Sequence, residues 1–197
     1  MFIRVPVAPM TLSKEEQAHL LEVVAREGSR RDLALLTLAL GTGLRVGELV
    51  RITVGDVATK AGGVVWKVVL PKAITKGRRG GVAFLSERVR ATLADYLTSK
   101  RIAGERTGKT APLFRSSQGR QLGIRGAQSV FARWQRVAGF EQNYNFHTLR
   151  HTAITNVYRA TKDLFLTQRF ARHANPITTV AYTHPSDEEL YSAIAGI

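Results

Sequence analysis

A glycine-rich turn carrying an arginine and a glutamate follows an apolar segment near the start of the chain: Gly41-Thr42-Gly43-Leu44-Arg45-Val46-Gly47-Glu48-Leu49. The preceding residues, Arg30–Leu40, are mostly apolar and predict a buried helix that the glycines end. A short helix is predicted to begin near Arg45 and to carry Glu48. The sequence therefore predicts a pair of opposite charges at a turn that is anchored by a buried helix.

Outward from this turn, the chain alternates between helical patterns and one pair of apolar, β-branched runs. Residues 64–70 and 82–85 flank a basic, glycine-rich turn, which predicts two antiparallel strands. Residues 103–126 are rich in turn formers and basic side chains and predict a loop. Helical patterns cover Thr11–Glu27, Ser86–Ile102, Gly126–Val137, His147–Ala160, Asp163–Ala171, Thr178–Tyr182 and Ser186–Ala195.

These patterns predict the fold class, a mainly α domain with a small antiparallel β-sheet (α+β). We expect the domain to cover residues 12–185, between an N-terminal segment (1–11) and a C-terminal helix (186–197). That helix is acidic near its start, and two roles remain open for it: docking on a neighbouring protomer or packing on its own domain. About eleven residues precede the domain in this sequence.

Composition limits the classes of partner. The chain has 197 residues, 44% of them hydrophobic and 22% charged, as is typical of one globular domain. Its net charge of +14 and its pI of about 10.9 favour a polyanionic partner, nucleic acid first and an anionic membrane surface second. The absence of cysteine excludes disulfides and cysteine metal sites and is compatible with a cytosolic location.

Arginine, histidine and tyrosine recur along the chain in an ordered set. Arg45 is followed by His147-Thr148-Leu149-Arg150-His151, then by His173, and Tyr182 comes nine residues after His173. A tyrosine can attack a phosphodiester covalently, arginines can neutralise its oxygens, and histidines can move protons near neutral pH. This set predicts phosphodiester chemistry that needs no metal.

These motifs, together with Thr75-Lys76-Gly77, resemble the tyrosine recombinase (phage integrase) family in order, residue type and spacing. The resemblance runs from about Leu12 to Pro185, and since only about eleven residues precede it, it implies either a reduced catalytic domain or a short family member. It implies that two arginines hold the scissile phosphate, one histidine assists proton movement, and another contacts a phosphate oxygen. A lysine would protonate the departing 5′-hydroxyl, and a tyrosine would become linked to the 3′-phosphate. Arg45 and Arg150 match the two arginines, His147 matches the histidine that assists proton movement, and His173 matches the histidine that contacts a phosphate oxygen. Lys76 matches the lysine and Tyr182 the tyrosine. Glu48 resembles the family's acidic residue that supports the site.

The resemblance also implies partners and a location. We expect a site-specific DNA recombinase that acts on double-stranded DNA, self-associates into a tetramer on DNA and works with an accessory DNA-bending protein. Neither a metal nor another cofactor is implied, nor is a membrane, and the expected location is cytoplasmic and nucleoid-associated. The basic side chains expected to contact DNA are Lys72, Arg78, Arg79, Lys100, Arg101, Arg120, Arg125 and Arg172. Arg172 is also a departure, because the family usually has a small residue before this histidine.

Other interpretations of the same residues remain open. His147 and His151 are four apart on a helix and could bind a metal, although no third ligand stands at a usual spacing. His151 is otherwise expected either to support the residues of the site or to pack beside them, and Trp66 and Trp134 to lie in the core or at its edge. Two further functions stay possible alternatives: a type IB topoisomerase, and a DNA-binding accessory protein that has lost the chemistry.

Overall fold

The computed structural model describes residues 9–75, 80–183, 191, 194 and 195. Within these residues the predicted fold class is confirmed, since helices dominate and two strands form one small antiparallel sheet. In chain order the elements are α1 (Lys14–Glu27), α2 (Arg30–Thr42), α3 (Val46–Leu49), α4 (Val54–Val57), β1 (Lys67–Leu70), β2 (Gly81–Phe84), α5 (Glu87–Ile102), α6 (Ile124–Val137), α7 (Phe146–Thr161), α8 (Leu164–Ala171) and α9 (Ile177–Val180).

Helix α2 forms the centre of the domain, packing against α1, α5, α6 and α7. Leu35, Leu36 and Leu38 have no exposed surface, as the apolar pattern predicted. The helix ends at Gly43, whose φ of 57° lies in the left-handed region that favours glycine. The chain can therefore reverse sharply at this point and begin α3 directly beside the end of α2.

The helix starts follow local capping rules. Ser13 and Glu16 form a capping box, in which each side chain accepts a hydrogen bond from the other residue's backbone N–H. Ser86 caps α5 by accepting from the N–H of Val89, and Asp163 caps α8 in the same way. The helix α4 was not predicted, because four residues are too few to show a helical period.

The two strands pair antiparallel, with Lys67 opposite Phe84 and Leu70 opposite Gly81. Val68 and Leu70 point into the core, while Trp66 lies outside, 61% exposed, with its ring centroid 5.8 Å from that of Phe84. The prediction that Trp66 belongs to the core or its edge is therefore wrong. The sheet has only two strands, so this stacked pair covers its outer surface instead of filling the interior.

Trp134, by contrast, is 1% exposed, and its indole N–H donates to Asp32 over 2.8 Å, which confirms the prediction for this residue. The loop between α5 and α6 is irregular, as predicted, but it is anchored: Leu113 and Phe114 are buried within it. The predicted helix over 186–195 falls largely outside the described residues. No helix in the described part of the chain is long and apolar enough to cross a membrane.

Candidate active site

Arg150 joins the central helix to the turn that follows α8. Asn145 caps α7 by accepting from the N–H of Thr148, so Arg150 lies in the second turn of the helix. Its side chain is buried, and its guanidinium donates one hydrogen bond to the carbonyl of Gly43 and another to that of Ala171. Two segments far apart in sequence are therefore held by one fork of donors, which also supplies a fixed positive charge.

Arg45 and Glu48 form an ion pair at the turn after α2. The Glu48 carboxylate is 2% exposed and accepts both from the backbone N–H of Arg45 and from its Nη1, each at 3.0 Å. The Arg45 side chain keeps 29% of its surface exposed. Glu48 therefore orients a guanidinium whose outer edge remains open to a ligand.

Tyr182 lies between two histidines just after α9. It is 8% exposed, and its hydroxyl is 2.6 Å from Nδ1 of His151. The Tyr182 ring centroid lies 5.6 Å from that of His151 and 6.0 Å from that of His173. The structure thus gives His151 a direct contact with the predicted nucleophile, whereas the sequence predicted only a supporting or a packing role for this residue.

Burial controls the protonation of both His151 and Tyr182. Burial, together with the nearby charges of His147 and Arg150, lowers the pKa of His151 from 6.5 to about 4. His151 is therefore neutral near pH 7, so one ring nitrogen carries a lone pair. Burial raises the pKa of Tyr182, while Arg150 and Arg45 act in the opposite direction. A neutral imidazole thus faces a protonated phenol, the arrangement needed for proton transfer from tyrosine to histidine.

His173 is fixed by a different partner. Its Nδ1 lies 3.0 Å from the hydroxyl of Thr179 in α9, and its backbone carbonyl accepts from the Gln168 side chain. Burial first, and then the arginines of the site, lowers the pKa of His173 to about 4. This contact leaves Nε2 as the ring nitrogen that can reach a ligand.

His147 begins the same helical face as His151. Their ring centroids are 4.6 Å apart and their planes are nearly perpendicular, as expected for residues four apart on a helix. The His147 side chain is exposed while His151 lies deeper. Among the described residues, no group of three histidine, aspartate or glutamate side chains has the arrangement of a metal site.

The side chains predicted to contact DNA differ in their exposure to solvent. Lys100 is buried, with its ammonium 2.7 Å from a Glu105 oxygen and 5.2 Å from the Tyr96 ring centroid, so its predicted DNA contact is wrong: it has no open surface for a phosphate. Arg172 is turned inward as well, with only 10% of its side chain exposed. Lys76, Arg78 and Arg79 lie outside the described residues. The remaining members of the set are exposed: Lys72, Arg101, Arg120 and Arg125.

Arg45, the buried Arg150, three histidines and a tyrosine thus lie at this site. A comparison of the sequence with protein families agrees with this set of residues. Residues 10–189 match the model of the Phage integrase family. The chain belongs to this family. The predicted resemblance is thereby confirmed, and the family match covers every described residue of the site.

This chain is similar to several individual recombinases. Tyrosine recombinase XerC of Caldanaerobacter subterraneus subsp. tengcongensis is 32% identical over 188 residues, which are 94% of this chain and 50% of that protein. This chain thus spans about half the length of that relative. The crystal structure of XerA recombinase matches with a TM-score of 0.77 and 24% identity, over 96% of this chain and 66% of the other. XerH site-specific recombinase bound to its difH substrate matches with a TM-score of 0.75 and 23% identity, over 98% and 56%. The structural likenesses confirm the fold.

Proposed function

We propose that residues 12–185 form the catalytic domain of a site-specific DNA recombinase that cleaves and rejoins DNA through a 3′-phosphotyrosyl intermediate. The observation that carries this proposal is the contact between the Tyr182 hydroxyl and the neutral imidazole of His151, beside the buried Arg150. Membership of the phage integrase family supports it independently. Integration, excision and inversion would all use this same chemistry.

Cleavage begins with the nucleophile. The Tyr182 oxygen attacks the scissile phosphorus while its proton passes to Nδ1 of His151, and the bond between phosphorus and the 5′-oxygen breaks. The 5′-oxygen leaves as a hydroxyl after taking a proton, a role that the family resemblance assigns to Lys76, outside the described residues. Religation is the reverse: a 5′-hydroxyl attacks the phosphotyrosine and Tyr182 regains its proton. The phosphodiester energy is conserved throughout, so no cofactor is consumed.

Charge development on the phosphate determines what the remaining residues do. Arg45 and Arg150 present guanidinium groups to the non-bridging oxygens, which gain negative charge as the tyrosine attacks. His173 donates from Nε2 to one of these oxygens, since Thr179 occupies its Nδ1. His147, exposed on the first turn of α7, assists proton movement at the edge of the site. Glu48 keeps Arg45 aimed at the phosphate.

Double-stranded DNA is the proposed substrate. The net charge of +14 supports a polyanion, and the related XerH structure contains its difH substrate. The exposed basic side chains Lys72, Arg101, Arg120 and Arg125 would contact phosphates without reading base sequence. Two duplexes are exchanged in a recombination event, so we further propose a tetramer of protomers on DNA, with an accessory DNA-bending protein as a candidate partner.

A trapping assay tests the chemistry directly. Nicked duplexes tiled across the DNA that flanks the chain's own gene are incubated in EDTA with the wild type and with Tyr182→Phe. We expect a covalent protein–DNA adduct on a subset of duplexes with the wild type only, because the variant lacks the attacking oxygen. An adduct in Tyr182→Phe would refute the assigned nucleophile. A salt-sensitive gel shift with no adduct in the wild type would instead indicate a DNA-binding protein without the chemistry.

Sequencing the trapped duplexes distinguishes a site-specific recombinase from the remaining alternative, a type IB topoisomerase-like enzyme. A site-specific recombinase should attach to a defined sequence, whereas a topoisomerase-like enzyme should attach broadly and relax supercoiled plasmid that lacks that sequence. Relaxation without a site requirement would therefore contradict the recombinase assignment while leaving the phosphotyrosyl chemistry intact.

A further inference from the structure

Arg172 ends helix α8 in a backbone conformation that favours glycine. Its φ of 56° and ψ of 40° lie in the left-handed region, where an L residue with a Cβ atom is disfavoured. Lys162 is the other described non-glycine residue with positive φ, and its side chain is exposed. Arg172 differs from it because its side chain turns inward, with only 10% of its surface exposed. Contacts of the side chain must offset the backbone cost.

Those contacts converge on the turn that begins the active site. Nη1 of Arg172 donates to the carbonyl of Phe170 over 3.0 Å, and Nη2 donates to that of Gly43 over 3.1 Å. Nη2 also lies 3.5 Å from Oε2 of Glu48. Nε is buried with no hydrogen-bond partner among the described residues. The Nη donors of Arg172 are therefore directed at the framework of the site.

Both acceptors reached by Nη2 are shared with the arginines that face the phosphate. The carbonyl of Gly43 also accepts from Nη1 of Arg150, and the carboxylate of Glu48 also accepts from Arg45. Arg172 therefore touches the supports of Arg150 and Arg45 at the same time. Its other support is the sheet: a Cβ added to Gly81 would lie 2.9 Å from Cδ of Arg172, so the side-chain stem runs directly along the start of β2.

We propose that Arg172 is a positioning residue of the cleavage reaction, which holds the Gly43 carbonyl and the Glu48 carboxylate so that Arg150 and Arg45 keep both their orientation and their charge for the scissile phosphate. This inference rests on the proposed function and adds a residue that does not itself contact DNA.

The charge balance shows why a third guanidinium matters. Glu48 is the acidic group in contact with Arg45 and Arg172, and a single carboxylate can offset only one positive charge. With Arg172 present, the three guanidiniums and Glu48 leave a net excess of positive charge, which suits a phosphate that gains negative charge during attack. Without Arg172, Glu48 would offset Arg45 more completely and the Gly43 carbonyl would lose one of its two donors.

Substrate charge distinguishes this role from a purely structural one. Adduct formation is measured on the duplex that wild type attacks most readily, and on the same duplex with a methylphosphonate at the scissile position, which removes the negative charge. For Arg172→Gln we expect adduct formation to slow about 100-fold on the phosphodiester, the order of loss that misplaced catalytic groups cause. On the neutral methylphosphonate the loss should be much smaller, because less charge has to be stabilised.

Three variants complete the test. Arg172→Lys should recover part of the rate, because it restores a charge near Glu48 but not the planar fork. Arg172→Gly removes the left-handed backbone cost together with the side chain, and Lys162→Gly is its matched control. Lys162 ends α7 twelve residues after Arg150, roughly 18 Å along the helix axis at 1.5 Å per residue. Lys162→Gly should therefore leave the cleavage rate unchanged, whereas Arg172→Gly should slow it while still giving a cooperative thermal transition.

The outcomes distinguish a failure of the positioning role of Arg172 from a failure of the proposed function. Normal cleavage by Arg172→Gln, or an equal loss on the charged and the neutral duplex, would overturn the positioning role and leave the proposed function standing. A rate that simply follows thermal stability across the four variants would do the same. No adduct from the wild type on any duplex would overturn both.

Discussion

The hydroxyl of Tyr182 lies 2.6 Å from Nδ1 of His151, although the two residues belong to different elements, α7 and the segment that follows α9. His151 is neutral near pH 7 because burial, and to a smaller extent the neighbouring His147 and Arg150, lowers its pKa to about 4. The contact therefore pairs a protonated phenol with a nitrogen lone pair, and it makes His151 a candidate for the group that receives the proton of the nucleophile.

Replacing His151 tests that assignment. We expect His151→Phe, which keeps an aromatic ring, to slow adduct formation by about 10²–10⁴-fold, the usual contribution of a general base. DNA affinity in a gel shift should be retained, since His151 is not an exposed cation. His19→Gln is a suitable control, because His19 is exposed and its Nε2 contacts the carbonyl of Ala138. Wild-type cleavage by His151→Phe would show that the proton leaves by another path.

Acidification should weaken the fold over the range in which the unfolded chain binds protons at His151 and His173 but the folded chain does not. His151 and His173 have pKa values lowered from 6.5 to about 4, so the unfolded chain binds their protons first as pH falls. The free energy of unfolding should therefore be highest above pH 6.5, decrease between about pH 6.5 and pH 4, and level off below. Urea denaturation at a series of pH values measures this, and His173→Asn should make the decrease shallower.

The pH dependence of the cleavage rate tests the protonation state of His151 independently of stability. Because His151 remains neutral in the fold down to about pH 4, adduct formation should change little between pH 6 and pH 8 and decline only at lower pH. A rate that rises steeply between pH 6 and pH 7 would contradict a buried, neutral His151, since it would indicate a histidine titrating near its ordinary pKa.

Arg150 is expected to contribute to stability as well as to chemistry. Its guanidinium bonds the carbonyls of Gly43 and Ala171, so Arg150→Met would leave the Ala171 carbonyl unsatisfied and would take from the Gly43 carbonyl one of its two donors. The unsatisfied acceptor should cost about 1–3 kcal/mol, seen as a lower urea midpoint. Arg45→Met is the matched comparison: Arg45 is partly exposed and should lose cleavage with a smaller loss of stability. Equal destabilisation by the two changes would argue against this difference between them.

Lys100 and Lys72 should behave oppositely in DNA binding. Lys100 is buried against Glu105, so Lys100→Met should leave the salt dependence of binding unchanged. Lys72 is exposed, and Lys72→Met should reduce the slope of log K against log salt by about 1, the effect of one lost phosphate contact. Fluorescence anisotropy over a range of salt concentrations measures both. A reduced slope for Lys100→Met would mean that the lysine leaves its pocket on DNA.

Local rules predicted most of the helices, because the information lies within a few residues. The capping box of Ser13 and Glu16 and the caps at Ser86 and Asp163 identify three helix starts to within a few residues. The apolar run before Gly41 predicted the central buried helix. The short helix α4 escaped this reasoning, since periodicity needs more than one turn to be visible.

The errors concern burial, which depends on residues far away in the chain. Trp66 is apolar, but it lies on the outer surface beside a two-stranded sheet, where it is 61% exposed and stacks on Phe84. Lys100 stands at the edge of a basic stretch, and its acidic partner Glu105 is visible in the sequence, but only packing removes its ammonium from solvent. Charge and hydropathy by themselves do not specify a side chain's position.

The ordered motifs around Arg45, Arg150, His173 and Tyr182 were enough to indicate the family and, through it, the proposed phosphotyrosyl chemistry. Each motif is local, and the spacing between motifs can be read directly from the sequence. Only the tertiary structure decided which groups touch. The contact of His151 with Tyr182, the sharing of the Gly43 carbonyl by Arg150 and Arg172, and the burial that keeps the histidines neutral all join segments distant in sequence. Such contacts depend on how α2, α7 and α8 pack, and no local pattern encodes that packing.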